Sequence, residues 1–352
     1  MSTFADDLLG WYDAHARDLP WRGPAVPAWH TWLSEIMLQQ TRVQTVIPYF
    51  ERFTERFPTL ADLATADLDE VLAMWSGLGY YSRARNLHRA AQMAAEQASF
   101  PATIPALKAL PGVGDYVSAA VGSIAFGLPE PAIDGNLERV LSRVHAHPGG
   151  RKAVLPLGRA LISADRPGDW NQAMMDLGSR ICRPKQADCG ACPVRAHCAG
   201  FAAGTPTAWP EPRKRKKAPQ RAAVATVIWR DGRLLLARRP PRGLFGGLYE
   251  LPGGLLEEAS PPGPAAVALL AEKLGLAVTV ERRLGAVQHT LTHMRLQVEV
   301  LEASAVGEPE PSGYTAVVWA DPDDTDVLDA LGLSTLARKV LAVARGAQQS
   351  LL

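Results

Sequence analysis

The chain has 352 residues, enough for two ordinary domains with their own cores or for one large domain. Its 47% hydrophobic and 21% charged residues exclude a disordered chain. A formal net charge of +1 excludes bulk basicity as a way of holding nucleic acid; residues 1–220 carry 24 Lys/Arg against 21 Asp/Glu (+3), and residues 221–352 carry 13 against 15 (−2).

The N-terminal stretch MSTFADDLLGWYDAHARDLPW has early acids and no basic segment leading into an apolar one, so no secretory signal is expected. No apolar run approaches about 20 residues, the length of a membrane span, and a cytoplasmic chain with reduced thiols is expected. From Phe4 to about Ala199 the apolar periodicity is helical, as in Trp32–Val46, Asp69–Trp75, Ala84–Ala95, Val117–Ala125 and Leu137–Val144. Phe57-Pro58, Ile104-Pro105 and Leu128-Pro129 separate these runs. Residues 204–220 combine prolines with the five cations Arg213–Lys217, which reads as a linker; the cations fit a solvated tether or a phosphate contact equally. Beyond it the period shifts towards two. Ala222–Trp229 and Arg233–Arg238 read as strands joined at Asp231-Gly232, Leu296–Ala303 and Thr315–Trp319 as further strands, and Ala265–Leu274 and Ser334–Ala344 as helices. The expected architecture is an all-α domain over 1–203, a basic Pro-rich linker over 204–220 and an α+β domain over 221–352.

Three local patterns carry chemistry. Cys182, Cys189, Cys192 and Cys198 follow the spacing C-x6-C-x2-C-x5-C, and four thiolates within 17 residues can converge on one metal centre, iron–sulfur or zinc. In Leu110-Pro-Gly112-Val-Gly114 two glycines flank one apolar residue before a helix, a turn whose exposed N–H groups suit a phosphate. Glu35 lies three residues from both Trp32 and Leu38 on one helix face, where desolvation should raise its pKa towards neutral and suit a general acid. Asp134, opening a helix, should be favoured as the anion by N–H groups and the macrodipole. Taken singly, the two also read as a partly buried surface Glu and an ordinary N-cap.

The hairpin, Asp134 and the cysteines occur in the order found in the helix-hairpin-helix DNA glycosylases related to endonuclease III. The chain most resembles the MutY-type adenine DNA glycosylases, through Trp32-Leu-Ser-Glu35-Ile-Met-Leu-Gln-Gln40-Thr41, Gly77-Leu78-Gly-Tyr80-Tyr81, Ala84-Arg-Asn-Leu87, Asn171-Gln172-Ala-Met-Met-Asp-Leu-Gly178 and the cysteines. The resemblance implies hydrolysis of the N-glycosidic bond of adenine opposite 8-oxoguanine or guanine in double-stranded DNA, by a bacterial, DNA-associated monomer. It implies that Glu35 protonates adenine N7, that Asp134 stabilises an oxocarbenium-like sugar, and that Asn136 holds the water or the sugar. Trp21, Arg22 and Gln172 match an adenine pocket; Gln40, Thr41, Leu78, Tyr80, Gly112 and Gly114 match DNA-contacting positions. The cysteines would hold one [4Fe-4S] cluster whose loop carries Arg183, Lys185 and Arg195 towards the DNA backbone. Lyase-type relatives place a Lys two residues after the hairpin's last Gly; here that residue is Tyr116, so a monofunctional enzyme is expected.

Residues 246–276 resemble a Nudix fold. Aligning the hydrolase box on Gly275-Leu276 puts Gly254 at its start but Ser260, Ala268, Leu269 and Lys273 at four charged positions, leaving Glu272 of the acidic set. One carboxylate cannot organise the metal site, so nucleotide hydrolysis is not expected. The resemblance implies a lesion-reading domain instead, with Thr292 and His293 facing 8-oxoguanine and Leu291 where the family commonly has an aromatic residue. The alternatives are a pyrimidine-damage or T·G glycosylase on the same scaffold and a non-catalytic DNA-binding sensor.

Overall fold

The computed structural model describes residues 2–97, 99–212, 218–258 and 260–349; Arg213–Lys217, the cationic block of the linker, lies outside them. By contact the chain divides into two units, Met1–Thr65 with Asn86–Lys214, and Ala66–Arg85 with Arg215–Leu352. Residues read from sequence as part of the helical domain, Ala66–Arg85, thus group with the C-terminal unit.

The first unit is helical. In chain order the helices before the linker are α1 (Phe4–His15), α2 (Ala28–Leu38), α3 (Val43–Arg56), α4 (Leu60–Thr65), α5 (Leu68–Met74), α6 (Ser82–Ala95), α7 (Ile104–Lys108), α8 (Asp115–Phe126), α9 (Gly135–Val144), α10 (Arg151–Leu161), α11 (Pro167–Arg180) and α12 (Ala199–Ala202), of which α5 and the first residues of α6 group with the C-terminal unit. The expected single run Trp32–Val46 is instead two helices. Between them Gln40 has φ +61°, a left-handed conformation that a helix cannot contain. One core gathers Leu8 of α1, Leu137 and Leu141 of α9, and Trp170, Met174 and Leu177 of α11. Full burial of each such side chain contributes roughly 1.5–3 kcal/mol. This packing positions α9, whose first residue follows Asp134.

The C-terminal unit holds β1 (Gln220–Val227), β2 (Trp229–Arg230), β3 (Arg233–Arg238), β4 (Tyr249–Glu250), β5 (Gly253–Leu255), α13 (Pro262–Leu274), β6 (Ala277–Thr290), β7 (Arg295–Val306), β8 (Ala316–Ala320), α14 (Thr325–Ala330) and α15 (Thr335–Gln349). One sheet runs β5-β1-β7-β6, with β1 and β7 parallel; in the other, β3 pairs with β2, β4 and β8. Asp231 and Gly232, both at positive φ, turn β2 into β3 as a two-residue hairpin requires. Val298 and Val300 of β7 and Leu236 of β3 pack with Val340 and Leu341 of α15, while Leu270 and Leu274 of α13 pack with Leu235 and Tyr314. Among the described residues no helix is long and apolar enough to cross a membrane.

Candidate active site

A cleft of about 1040 Å³ in the first unit is bordered by α2, the α7–α8 hairpin, α8, the segment before α9, and α10. It brings together Glu35, Gln40, Gly112, Gly114, Tyr116 and Asp134, residues spread over a hundred positions of sequence. Lys108, Arg151, Lys152 and Arg159 also border it, and nothing in their local pattern singled them out.

Glu35 is 5% exposed, and the Tyr116 hydroxyl donates to its Oε2 at 2.7 Å. Burial pushes its pKa up to about 7, with the charge of Asp134 adding to the rise; the Tyr116 hydrogen bond and Arg22 oppose it. Tyr116 is itself raised well above its ordinary value, first by burial and then by the two carboxyls, so it stays a donor.

Asp134 is the N-cap of α9. Its Oδ1 accepts from the backbone N–H of Asn136 and Leu137, each at 2.7 Å, and its Oδ2 accepts from Asn136 Nδ2 at 3.0 Å. The sequence reading, in which the helix terminus holds this group below its ordinary value, needs correction. Burial outweighs those bonds and the net shift is upwards. The two carboxyls are therefore not driven in opposite directions; what separates them is hydrogen bonding. Three donors converge on Asp134 and one on Glu35, so Glu35 is the group that keeps a proton.

Other side chains hold this pair in position. Arg139 donates to Asn136 Oδ1 (2.9 Å), to the Gly178 carbonyl (2.7 Å) and to the Cys182 carbonyl (2.8 Å). A Cβ on Gly178 would stand 2.7 Å from that of Asn136, so only glycine lets α11 approach here. Asn171, fully buried, accepts from the Ala132 N–H and donates to Ser123 Oγ and the Glu130 carbonyl, fixing the segment that leads into Asp134.

Beside the cleft, and sharing Glu35 and Leu38 with it, Trp21, Arg22 and Gln172 line a second, narrower recess. Arg22 is clamped there by Asp176, which no reading of local pattern identified as a site residue. Arg22 Nη1 and Nη2 reach the Asp176 oxygens at 2.8 and 3.0 Å, and Arg17 Nη2 reaches them at 2.5 Å. Burial disfavours the Asp176 anion, yet the two guanidinium groups outweigh it and hold its pKa below the ordinary value.

In the hairpin, Gly112 has φ +79° and lies against Asn86. Gly114 caps α8 without a side-chain bond, leaving first-turn N–H groups facing the cleft. Gln40, exposed at the bend between α2 and α3, also faces the cleft; Thr41 lies next to it and donates to the Gln39 carbonyl.

The four cysteines follow α11 and border one small cavity with Arg143. Arg143, almost wholly buried, donates to Cys182 Sγ (3.2 Å) and to the carbonyls of Arg183, Pro184 and Trp209. Burial, with the other three thiols adding, pushes the Cys192 thiol up to about 11. Thiolates gathered at this spot need a bound cationic centre, and the donor set suits one.

In the C-terminal unit, Thr292 and His293 are exposed in the loop joining β6 to β7. The Tyr80 hydroxyl is hydrogen-bonded to Thr292 Oγ1. Tyr80 is 46% exposed and left-handed (φ +50°), whereas Leu78 is 6% exposed. Their turn is braced by Trp75 Nε1 donating to the Gly79 carbonyl and by Arg83 donating to the carbonyls of Leu78 and Gly79.

Residues 33–155 match the family of HhH-GPD superfamily base excision DNA repair proteins, and residues 223–343 match the NUDIX domain. The human adenine DNA glycosylase is 34% identical over 412 residues, covering 99% of this chain and 75% of that protein. The adenine DNA glycosylase of Arabidopsis thaliana is 35% identical, covering 95% of this chain and 63% of that one. The solved structure of a thermostable thymine-DNA glycosylase superposes with a TM-score of 0.52 at 26% identity, covering 57% of this chain and 95% of its own. With a buried acid and an N-capping carboxylate in one cleft, both domain matches, and likeness along nearly its whole length, this chain belongs to the adenine DNA glycosylases, base-excision-repair enzymes that join a helix-hairpin-helix domain to a NUDIX-like one.

Proposed function

We propose that the enzyme removes adenine opposite 8-oxoguanine, and opposite guanine, as a monofunctional hydrolase acting as a monomer on double-stranded DNA. The observation that carries this reading is the Glu35 carboxyl, buried with a pKa of about 7, in the cleft that also holds Asp134. A group that is half protonated at neutral pH suits a general acid. The target adenine is turned out of the duplex, at an unstacking cost of a few kcal/mol, towards the recess of Trp21, Arg22 and Gln172. Glu35 gives its proton to adenine N7, the C1′–N9 bond breaks, and the base leaves neutral. Tyr116, donating to Glu35 Oε2, steadies the carboxylate that remains. Asp134 balances the positive charge on the sugar until water adds at C1′, its proton passing to the Glu35 carboxylate, while Asn136 lies within reach of sugar or water. Tyr116 stands where a lyase would carry an amine, so no Schiff base forms with the sugar.

Gln40, left-handed and exposed, suits a wedge into the gap left by the base, with Thr41 beside it, and Gly112 and Gly114 suit a phosphate. Tyr80, hydrogen-bonded to Thr292, with His293 alongside, would read the opposing lesion, and Leu78 would back Tyr80 from its buried position. Cys182, Cys189, Cys192 and Cys198 would hold one [4Fe-4S] cluster, whose part here is to order the loop of Arg183, Lys185 and Arg195.

Release of free base from A·8-oxoG, A·G and T·G duplexes by wild type and Glu35→Gln tests the reading. Expected is adenine release from the first two, lost in the variant by about 10²–10⁴-fold. Thymine release from T·G would replace adenine with the pyrimidine reading, and wild type that binds without releasing base would make the chain a sensor. Borohydride trapping of a stoichiometric covalent complex would overturn monofunctionality.

A further inference from the structure

The turn that carries Tyr80 has an unusual backbone. Gly77, Gly79 and Tyr80 all lie at positive φ, at +96°, +71° and +50°. Glycine adopts this region freely, but a bulky side chain there is strained. The Tyr80 ring is also nearly half exposed, so packing alone does not hold it. Both the backbone and the ring need another restraint.

Arg83 supplies one to each. It stands in the first turn of α6, and its backbone N–H donates to the Tyr80 carbonyl at 2.8 Å. Its Nη2 donates to the carbonyls of Leu78 (3.2 Å) and Gly79 (3.1 Å), and the Gly79 carbonyl also accepts from Trp75 Nε1. The guanidinium carbon lies 5.3 Å from the centre of the Trp75 ring and 5.4 Å from that of Tyr80, within cation–π range of each. Trp75 is wholly buried. The guanidinium thus rests on a ring locked in the core and passes that order to the exposed ring of Tyr80.

Local energetics do not call for an arginine here. Only 7% of it is exposed, and burial pulls its pKa down to about 10, with Tyr80 opposing. A cation in the first turn of a helix also faces the positive end of the macrodipole. What arginine offers is a planar fork that bonds two carbonyls while its face lies against a ring; the ammonium of a lysine, a point charge, cannot do both. A residue kept against two local costs points to a use for the position of Tyr80.

We propose that Arg83 is a positioning residue for recognition of the base opposite the target adenine. It holds Tyr80 left-handed, with its hydroxyl against Thr292, so that the pair meets 8-oxoguanine already formed. The inference rests on the reading above in which Tyr80 and Thr292 face that base. 8-Oxoguanine differs from guanine by its C8 oxygen and its N7–H. Two hydroxyls at fixed places can tell these from a bare N7 acceptor, and hydroxyls on a loose ring cannot.

Single-turnover adenine release from A·8-oxoG and A·G duplexes, by full-length wild type, Arg83→Lys, Tyr80→Ala and the double variant, tests this. Expected is a wild-type preference for A·8-oxoG that falls at least about fivefold in Arg83→Lys, in keeping with a lost cation–π contact. In the Tyr80→Ala background the same substitution should change the preference by less than about twofold, because the two side chains act as one unit. An equal loss on both duplexes, or a further fall in preference in the Tyr80→Ala background, would make Arg83 a brace of the fold and overturn the proposal. An undiminished preference in Arg83→Lys would overturn it too. A wild type with no preference would instead overturn the reading of Tyr80 and Thr292, and the proposal with it. If circular dichroism shows that Arg83→Lys does not fold, Arg83→Gln takes its place with the same fall expected. Failure of both to fold would assign Arg83 to the core and overturn the proposal.

Discussion

Glu35→Gln should stabilise the protein while disabling it, and by an amount that depends on pH. The Glu35 pKa is about 7 in the folded chain against an ordinary 4.5. The folded state therefore prefers the protonated form. Relative to an unperturbed carboxyl, its stability is fully present below pH 4.5 and is lost as pH rises through 7. A shift of about 2.5 units at about 1.4 kcal/mol each sets the full penalty at roughly 3 kcal/mol. Gln keeps the shape and can still accept from Tyr116, but has no charge to desolvate. Urea denaturation should find the variant more stable by about 3 kcal/mol at pH 8 and by less than about 1 kcal/mol at pH 5, with adenine release lost at both. A stability difference independent of pH would refute the reasoning, since it would mean that Glu35 titrates in the folded chain as it does in the unfolded one.

Adenine release by the wild type should fall above about pH 7 as Glu35 loses its proton; in Tyr116→Phe, which removes a hydrogen bond that lowers the Glu35 pKa, this limb should move to higher pH. A limb that stays in place would detach Tyr116 from the acid. Asp134→Asn should lower single-turnover release by at least about 10²-fold while changing stability by less than about 1 kcal/mol, because Asn is also a good N-cap. Asp176→Asn, which strands Arg17 and Arg22 beside a neutral group, should cost about 3 kcal/mol in urea denaturation, and a loss under about 1 kcal/mol would contradict the buried clamp. Metal analysis should find about four irons per chain, reduced in Cys198→Ser; one zinc per chain would overturn the cluster.

The periodic helices were legible because their spacing is local. The expected runs Ala84–Ala95, Val117–Ala125 and Leu137–Val144 lie within α6, α8 and α9, and Asp231-Gly232 marked its hairpin by turn chemistry alone. β6 was not legible. Its burial alternates weakly and two register shifts interrupt it, so no two-residue period survives over its length. Asp176 was quoted within a motif but not singled out, because an aspartate four residues from a helix end has no local sign that Arg17 and Arg22 will close on it.

Motif order and spacing by themselves determined the candidate acid and anion, the thiol set, the hairpin and the missing carboxylates of the NUDIX box, because each is a statement about which residue stands where along the chain. The tertiary structure decided how those residues behave. It grouped Ala66–Arg85 with the C-terminal unit through bonds such as that from the Tyr81 hydroxyl to the Leu333 carbonyl, a separation no local pattern spans. It also reversed the expected shift of Asp134. Capping N–H groups follow from sequence, but the depth at which they are buried is set by everything packed around them, and here that desolvation outweighs the cap.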